Sequence, residues 1–429
     1  MSPLSDSGTK RLGFGAGRTE EAKEWCTAVP IKPTAHALGE RGLVVMLFGC
    51  CGATVFFSRG ARVLGLSLGH RGEPFVYDCT AETREADAGN SDEIVAFAFS
   101  PSGTYLAVSA DNKQLILFRT RPWQCLSVRY AVRRSTSLAI TAGEDQILLA
   151  DKSGDVYSFS IQDPQRPGQL QLGHLSMLLA VVVSPEDRFV ITADRDEKIR
   201  VSLLEQPYTI EAFCLGHREF VSELCIPPNH PQLLLSGSGD GTIRLWEYQS
   251  GMELDCFKMS EIQASGCQKA RCAVVRIVHC KQRDNFAVLC DDFSSVHIFK
   301  LDVVAQKLNH LHTITVRQRA WDIAFDDISG LWILDGEMVV VYQPQDGHWQ
   351  HTPEHPDQQK MEEAIRANWE ELRGSATANS YSSLYKMTVD NVAQYQSKKK
   401  LRVHQRQKKR TMEIGQMDGH SKRAKGCEG

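Results

Sequence analysis

Two copies of one pattern occur at ITADRDEKIRVS (residues 191–202) and LLSGSGDGTIRLW (residues 234–246). A Gly-His pair precedes each copy, and its histidines, His174 and His217, are 43 residues apart. The aspartate of the turn recurs after 44 residues. A unit of about 40–45 residues, with Gly-His near its start and an aspartate turn before a strand, is typical of the WD repeat. Each unit therefore predicts one blade of a β-propeller.

The spacing of strand ends extends this repeat over most of the chain. The intervals between seven successive anchors are 41, 41, 43, 44, 53 and 43 residues, and the long interval contains a polar insert at residues 258–269. The anchors are Tyr77, Phe118, Phe159, Ser202, Trp246, Phe299 and Tyr342. This spacing predicts an all-β fold, a seven-bladed WD-repeat β-propeller over residues 44–356. To close the ring, we expect residues 55–57 to complete the last blade beside residues 332–334 and 339–342.

Five residues of the repeat are interpreted as architecture. The Gly-Asp-Gly sequence at 239–241 suits a tight turn, since glycine allows positive φ and aspartate bonds its own backbone. A buried imidazole and a carboxylate within one blade satisfy each other's polar atoms. We assign structural roles, and neither catalysis nor metal binding, to His174, Asp196, His217, Asp240 and Trp246.

The flanking segments differ from the repeats in composition. Residues 1–43 are rich in Gly, Ser, Lys and Glu without periodicity, which predicts a disordered leader. Residues 357–396 carry apolar side chains at helical spacing, which predicts a helical extension. Residues 397–429 are predicted to be a basic, disordered tail. The whole chain has a net charge of −3, and because this tail is basic, the part of the chain before it is mildly acidic.

The motifs of common enzymes and metal sites are missing from the sequence. There is no C-x-x-C, G-x-S-x-G, H-E-x-x-H or P-loop, and the 13 cysteines are scattered. Without a secretory signal or a long apolar segment, we expect an intracellular protein with reduced thiols and no membrane contact. We predict no catalytic, cofactor-binding or metal-binding residues.

One turn carries more charge than its backbone requires. The turn at 195–198 reads Arg-Asp-Glu-Lys, whereas the matching turn of the next repeat is Gly-Asp-Gly-Thr. Turns need Gly, Asp or Asn for conformational reasons, and the additional charges are unnecessary for that purpose. These charges indicate either a docking patch for a partner or a solvated turn with Arg200 paired to an acid of a neighbouring blade.

A second cationic stretch lies near the C-terminus. Residues 397–410 contain eight cations and no anion. Such a stretch is typical of phosphate contacts, of a nuclear-import signal, or of both, and a solvated helical extension is the alternative. The candidate RNA-contacting residues are Lys398, Lys399, Lys400, Arg402, Arg406, Lys408, Lys409 and Arg410.

Longer strings of the sequence resemble a known family. The strings are FRTRPWQCLSVR (118–129), ADKSGDVYSFS (150–160), LGHLSMLLA (172–180), TADRDEKIRVS (192–202), AFCLGH (212–217) and SSLYKMTVDNV (382–392). They are similar to the animal branch of the WD-repeat non-catalytic subunit of the tRNA (guanine-N7)-methyltransferase. The resemblance extends over about residues 44–410, whereas the leader has no counterpart in the family's pattern.

This resemblance implies a nuclear scaffold without catalytic residues. The chain would form a heterodimer with an S-adenosylmethionine-dependent methyltransferase that makes 7-methylguanosine in the tRNA variable loop, and would help to position the tRNA. In the family the charged turn lies at the partner interface, which makes Arg195, Glu197, Lys198 and Arg200 the candidate partner-binding residues. The alternative function is a WD-repeat substrate receptor of a ubiquitin ligase or another nuclear interaction scaffold.

Overall fold

The structure, a computed structural model, describes residues 46–69, 72–82, 92–262, 272–291, 294–335, 338–345, 347–368, 381–386, 392 and 395–402. Within these residues the chain forms seven antiparallel sheets of four strands, and consecutive strands of each sheet are hydrogen-bonded in chain order. The seven sheets are the blades of a WD-repeat β-propeller, which confirms the fold predicted from the repeat.

The first four blades contain sixteen strands. They are β1 (Met46–Cys51), β2 (Thr54–Arg59), β3 (Arg62–Ser67), β4 (Phe75–Asp78), β5 (Ile94–Phe99), β6 (Tyr105–Ala110), β7 (Gln114–Thr120), β8 (Trp123–Tyr130), β9 (Ser135–Ile140), β10 (Gln146–Asp151), β11 (Asp155–Ser160), β12 (Gln169–Gly173), β13 (Leu178–Val183), β14 (Phe189–Asp194), β15 (Ile199–Leu203) and β16 (Ile210–Cys214).

The last three blades contain twelve strands. They are β17 (Val221–Cys225), β18 (Leu233–Ser238), β19 (Thr242–Glu247), β20 (Met252–Lys258), β21 (Val274–Cys280), β22 (Asn285–Cys290), β23 (Ser295–Asp302), β24 (Lys307–Thr315), β25 (Ala320–Phe325), β26 (Leu331–Asp335), β27 (Met338–Gln345) and β28 (His348–His351).

Burial follows the position of each strand in its blade. All six residues of β2, β14, β18 and β22, the second strands of four blades, are buried. A strand covered on both faces reads as a nearly continuous apolar run, as FVITAD and NFAVLC do here. The fourth strands β12 and β16 are mostly exposed or half-buried. The core is therefore a ring of apolar layers between neighbouring blades.

The expected closure of the ring by residues 55–57 is wrong. These residues belong to β2, the second strand of the first blade, and the last blade is built from β25–β28 alone. Strands β1 and β25 meet at the junction, where the backbone N–H of Phe48 donates to Asp322 Oδ2 at 2.9 Å. The first anchor, Tyr77, lies on the fourth strand of its blade, whereas the other six lie on third strands.

A helix completes this junction. Helix α1 (Pro356–Asn368) buries Met361, Ala364 and Ile365 in one cluster with side chains of the first and last blades, including Phe48, Phe57, Trp332 and Val341. Gln358 Oε1 also accepts from the backbone N–H of Val341 at 3.2 Å. Side-chain packing under α1 therefore closes the ring, and no strand is exchanged between terminal blades in the described part of the chain.

The residues after α1 differ from the predicted extension. Residues 381–386 form turns, so the helical interpretation of residues 357–396 is wrong there, and residues 395–402 are helical, so predicted disorder is wrong at 397–402. The predicted leader at 1–43 lies outside the described residues. No described helix combines the length and apolar character needed to cross a bilayer. The ten described cysteines are all free thiols.

Candidate partner-docking face

The histidine of the fifth blade connects two strands and a turn. His217 Nδ1 lies 3.2 Å from Asp240 Oδ2, and its Nε2 lies 2.7 Å from Ser236 Oγ. The indole N–H of Trp246 donates to the same Ser236 Oγ at 2.8 Å. His217, Trp246 and Ser236 are buried, so these bonds satisfy polar atoms that water does not reach. The contacts support structural roles for His217, Asp240 and Trp246.

The fourth blade uses a different aspartate from the predicted one. His174 Nδ1 lies 3.0 Å from Asp194 Oδ2, and its Nε2 lies 2.8 Å from Thr192 Oγ1. Asp194 is 2% exposed, whereas Asp196 is exposed, so the pairing of His174 with Asp196 is wrong. The position matching Asp194 in the fifth blade is Ser238, whose hydroxyl donates to the Glu219 carbonyl at 3.2 Å, and Asp240 provides the carboxylate beside the imidazole there.

The two buried carboxylates are held in their charged form. Burial by itself would raise the pKa of Asp194, but the hydrogen bonds from His174 and from the Lys198 backbone N–H outweigh it and hold the pKa below its usual value. The pKa of Asp240 is lowered in the same way by His217 and Thr242, against the effect of burial. Burial lowers the pKa of His217 despite its aspartate. Both aspartates stay ionised at neutral pH and stabilise their turns.

The charged turn connects β14 and β15. We call the end of the propeller that carries this turn and the β18–β19 turn the turn face. Three residues of the charged turn bind other residues of the same chain. Arg195 Nε donates to the carbonyl of Leu384 at 3.1 Å, and its Nη2 donates to the carbonyl of Ser383 at 3.3 Å. Glu197 forms an ion pair with Lys386. Lys198 is exposed, and its Nζ donates to the Asp196 carbonyl at 3.3 Å.

Arg200 is not a surface residue. It is 9% exposed and donates to Ser202 Oγ at 2.9 Å, to the Gly173 carbonyl at 3.0 Å and to the Pro207 carbonyl at 2.8 Å. The alternative prediction, that Arg200 pairs with an acid of a neighbouring blade, is also wrong. Ser202 and Pro207 belong to its own blade, and Gly173 ends β12, the strand before that blade. Arg244 is equally buried at the matching position of the fifth blade, where it pairs with Glu253. Arg200 thus supports the loop that begins at Gly173.

Residues 381–386, which we call the clasp, cover part of the turn face. The Tyr381 ring stacks on Phe220, with centroids 5.9 Å apart, and the Tyr385 ring meets Phe220 edge-on at 5.0 Å. Tyr385 is 9% exposed and joins Ala273 in this small apolar cluster. The clasp is therefore held by two aromatic side chains and by the bonds of Arg195 and Glu197.

Tyr381 also lines a cavity of about 230 Å³ among the first strands of the blades. Arg276 lies in its wall, with Nη1 3.3 Å from Glu223 Oε1 and Nε 3.2 Å from Asp322 Oδ1. Burial raises the pKa of Glu223 to about 7 against the effect of Arg276, whose guanidinium Asp322 shares. The charges of this cluster pair with one another across three blades, which indicates structural support.

Two apolar residues on the turn face were missed from the sequence. Leu175 is 109% exposed in the loop whose Met177 carbonyl accepts from the Arg195 N–H at 2.9 Å. Leu215, which directly precedes the Gly-His pair of the fifth blade, is 63% exposed. The sequence signal for these two residues was a leucine in each of two loops, where polar residues are usual. These leucines share the turn face with the charged turn, which makes this face our candidate interaction surface.

The basic stretch is described only in part. Lys398, Lys399, Lys400 and Arg402 are exposed on the helical residues 395–402, whereas Arg406, Lys408, Lys409 and Arg410 lie outside the described residues. Within the described part of the chain, no group of three or more His, Cys, Asp or Glu side chains is arranged to hold a metal ion. The arrangement offers surfaces for macromolecules: a charged and apolar face, and an exposed cationic helix.

Comparisons with known proteins identify the family of the chain. The family model "tRNA methyltransferase TRM82 WD40 domain" matches residues 77–168 and 161–362. The "tRNA (guanine-N(7)-)-methyltransferase non-catalytic subunit WDR4" of Bos taurus is 47% identical over 363 residues, 80% of this chain and 88% of the relative. The protein of the same description from Homo sapiens is 46% identical over 365 residues, 81% and 89% of the two chains.

More distant proteins share the fold. The subunit wuho of Culex quinquefasciatus, with the same description, is 32% identical over 340 residues, 75% of this chain and 80% of the relative. Among solved structures, the WD40 repeats of RRP9 superpose with a TM-score of 0.58 at 16% identity, covering 73% of this chain and 92% of that one. The latter similarity concerns the propeller fold alone.

Proposed function

The chain belongs to the family of WD40 non-catalytic subunits of the tRNA (guanine-N7)-methyltransferase, and from this premise we propose that it binds and stabilises the catalytic subunit and helps to position the tRNA. The partner would be the S-adenosylmethionine-dependent enzyme that forms 7-methylguanosine in the tRNA variable loop. The propeller contributes no reacting group in this proposal. Its work is to hold a separate catalyst in an active conformation.

The observation that carries the docking proposal is the composition of the turn face. Exposed Lys198 lies on the same end of the propeller as the loops of Leu175 and Leu215, and it follows the fixed charges of Arg195 and Glu197 in the turn. Apolar anchors bury surface on association, and adjacent charges set orientation and partner choice. We propose that Arg195, Glu197 and Lys198 border the interface directly, and that Arg200 acts through the loop of Gly173, whose carbonyl it binds.

Stabilisation of the partner follows from population shift. A methyltransferase that spends only a fraction of its time in the active conformation binds tRNA and cofactor with that fraction of its full affinity. A propeller that binds the active conformation preferentially raises this fraction by its differential affinity for the two states. The scaffold therefore increases turnover without touching the reacting atoms.

The exposed cations of residues 395–402 support the RNA part of the proposal. Lys398, Lys399, Lys400 and Arg402 are exposed and extend a positive charge that continues in the sequence to residue 410. Such a segment contacts phosphates and raises affinity without reading bases. The same stretch has the composition of a nuclear-import signal, and we propose a nuclear location for the protein.

Co-expression tests this function directly. The tagged full-length chain and an untagged methyltransferase of the family are expected to elute together from size-exclusion chromatography in equal amounts. Removal of the chain after Tyr395 is expected to leave this complex intact, to lower its tRNA affinity and to flatten the salt dependence, by about 0.9 in slope for each phosphate that the tail no longer neutralises. Recovery of a ubiquitin-ligase adaptor in place of the methyltransferase would contradict the proposal.

A further inference from the structure

The C-terminal part of the chain is attached to the propeller at two separate places. Helix α1 ends at Asn368, whose carbonyl accepts from Arg62 Nη1 at 3.0 Å in the first blade. The clasp at residues 381–386 instead contacts the fourth, fifth and sixth blades, through Arg195, Phe220 and Ala273. The chain therefore leaves the ring at one junction and is attached again on the turn face.

The contacts of the clasp indicate that it remains in place when a partner binds. Tyr385 is buried and Tyr381 stacks on Phe220 above the cavity of Arg276, so removing the clasp would expose two aromatic rings and open this cavity. Arg195 binds two backbone carbonyls of the clasp, which satisfies the guanidinium without any partner. Lys198 and the two exposed leucines are accessible on the turn face with the clasp in place, so a partner that contacts them need not displace it.

We infer that the clasp fixes the start of the basic tail on the turn face, next to the proposed docking surface. Lys386 is the last residue of the clasp, and the exposed helical residues begin at Tyr395. Nine residue steps limit the distance between them to about 30 Å. If the tail were attached only at Asn368, Tyr395 could lie up to about 90 Å from that residue. This distance exceeds the width of about 50 Å expected for a ring of this size, so the tail could reach either face.

This restriction has a consequence for RNA binding, which rests on the proposed function. Cations attached close to a bound RNA have a high effective concentration for its phosphates, and this concentration falls steeply as the tether lengthens. The clasp holds Lys398, Lys399, Lys400 and Arg402 on the side of the propeller where the catalyst is proposed to dock. Tyr381 and Tyr385 are therefore positioning residues for the tail.

The test compares a clasp variant with a matched tyrosine variant in the full-length chain. The variant Tyr381→Ala/Tyr385→Ala removes both rings, and Tyr208→Ala removes a tyrosine that is 76% exposed in the loop at the opposite end of its blade. A photo-crosslinking amino acid at Gln396 reports the tail position by mass spectrometry. Binding of a tRNA transcript to the purified complex, at several salt concentrations, reports the tail's contribution to RNA affinity.

The clasp should concentrate the cross-links near Leu175 and Leu215 in the wild type and in Tyr208→Ala. In the double variant these cross-links are expected to fall about tenfold, and tRNA affinity to fall by most of the decrease seen on truncation after Tyr395. Lys386→Ala, which removes only the ion pair with Glu197, is expected to shift both readouts in the same direction and covers the case in which the double variant fails to fold.

Unchanged cross-links in the variants would overturn the inference. So would unchanged tRNA affinity in the double variant when truncation after Tyr395 lowers it. Dissociation of the methyltransferase from the folded double variant would also overturn it, and would place the two tyrosines in the docking surface. If truncation itself leaves tRNA affinity unchanged, the RNA part of the proposed function fails, whereas the cross-links still decide where the clasp holds the tail.

Discussion

Arg195 Nε donates to the carbonyl of Leu384 at 3.1 Å, which joins the charged turn of the fourth blade to a segment 189 residues later. Lys386 makes a second connection by pairing with Glu197 of the same turn. The turn face of the free subunit is thus already ordered by its own C-terminal residues. Lys198 is the charged side chain of the candidate docking set that stays exposed and makes no ion pair among the described residues.

Asp194 and Asp196 should differ sharply in their contribution to stability. Asp194→Ala leaves the buried His174 and the Lys198 backbone N–H without their acceptor, so we expect the free energy of unfolding to fall by about 2–4 kcal/mol. Asp196 is exposed, and its replacement by alanine is expected to change stability by less than about 0.5 kcal/mol. Urea unfolding measures both, and equal decreases would contradict the assignment of Asp194.

Stability should decrease in acid through the same carboxylate. The pKa of Asp194 in the folded chain lies below its usual value of 3.8, so the unfolded chain takes up the proton first. The stabilisation is fully present above about pH 4 and is lost as the pH falls through the lower, folded pKa. Asp194→Asn, which does not titrate, should be less stable at neutral pH and show a smaller further decrease between pH 5 and 3. Parallel pH profiles would contradict this prediction.

Arg200→Leu should destabilise the propeller as well as weaken docking. The family resemblance makes Arg200 a candidate partner-binding residue, but the structure buries its side chain on the carbonyls of Gly173 and Pro207. Leaving these acceptors without a donor should lower the free energy of unfolding by about 1–3 kcal/mol. Thermal unfolding measures this decrease. An unchanged melting temperature together with failed co-purification would restore Arg200 as a direct contact.

Lys198→Glu should weaken binding of the catalytic subunit about tenfold without changing stability. Reversing an exposed charge beside an interface affects association and its salt dependence. Lys307→Glu is the matched control, since Lys307 is exposed on the outer strand β24 and makes the same charge change. Surface plasmon resonance at two salt concentrations measures the affinities. Equal affinities for both variants would remove Lys198 from the interface.

Local features of the fold were predictable, whereas several pairings were not. The repeat spacing predicts seven blades because each blade is a local unit with its own strand periodicity and turns. The family and its non-catalytic role, recognised from long strings such as TADRDEKIRVS, are confirmed by the curated relatives. The error at Asp196 arose because the two turns align residue for residue, so that Asp196 matches Asp240. The difference lies two residues earlier, where the fourth blade has Asp194 and the fifth blade has Ser238.

The clasp and the ring closure lay beyond sequence reasoning for a different reason. Tyr381 and Tyr385 have helical spacing, and nothing local to them indicates that their rings bind Phe220, far away in the chain. Likewise, residues 55–57 have the composition of any buried strand. Their pairing with β1 and β3 depends on where the first blade begins. Contacts between residues far apart in the sequence form only in the assembled ring. The spacing of apolar residues along the chain does not indicate them.

The central claim is that this chain is a scaffold that supports methyl transfer by a separate subunit. The most direct measurement is incorporation of labelled methyl groups from S-adenosylmethionine into a tRNA transcript by the purified chain, the methyltransferase and the co-expressed pair. We predict no turnover by the chain alone and a higher rate for the pair than for the methyltransferase alone. Turnover by the isolated chain, or equal rates with and without it, would contradict the account.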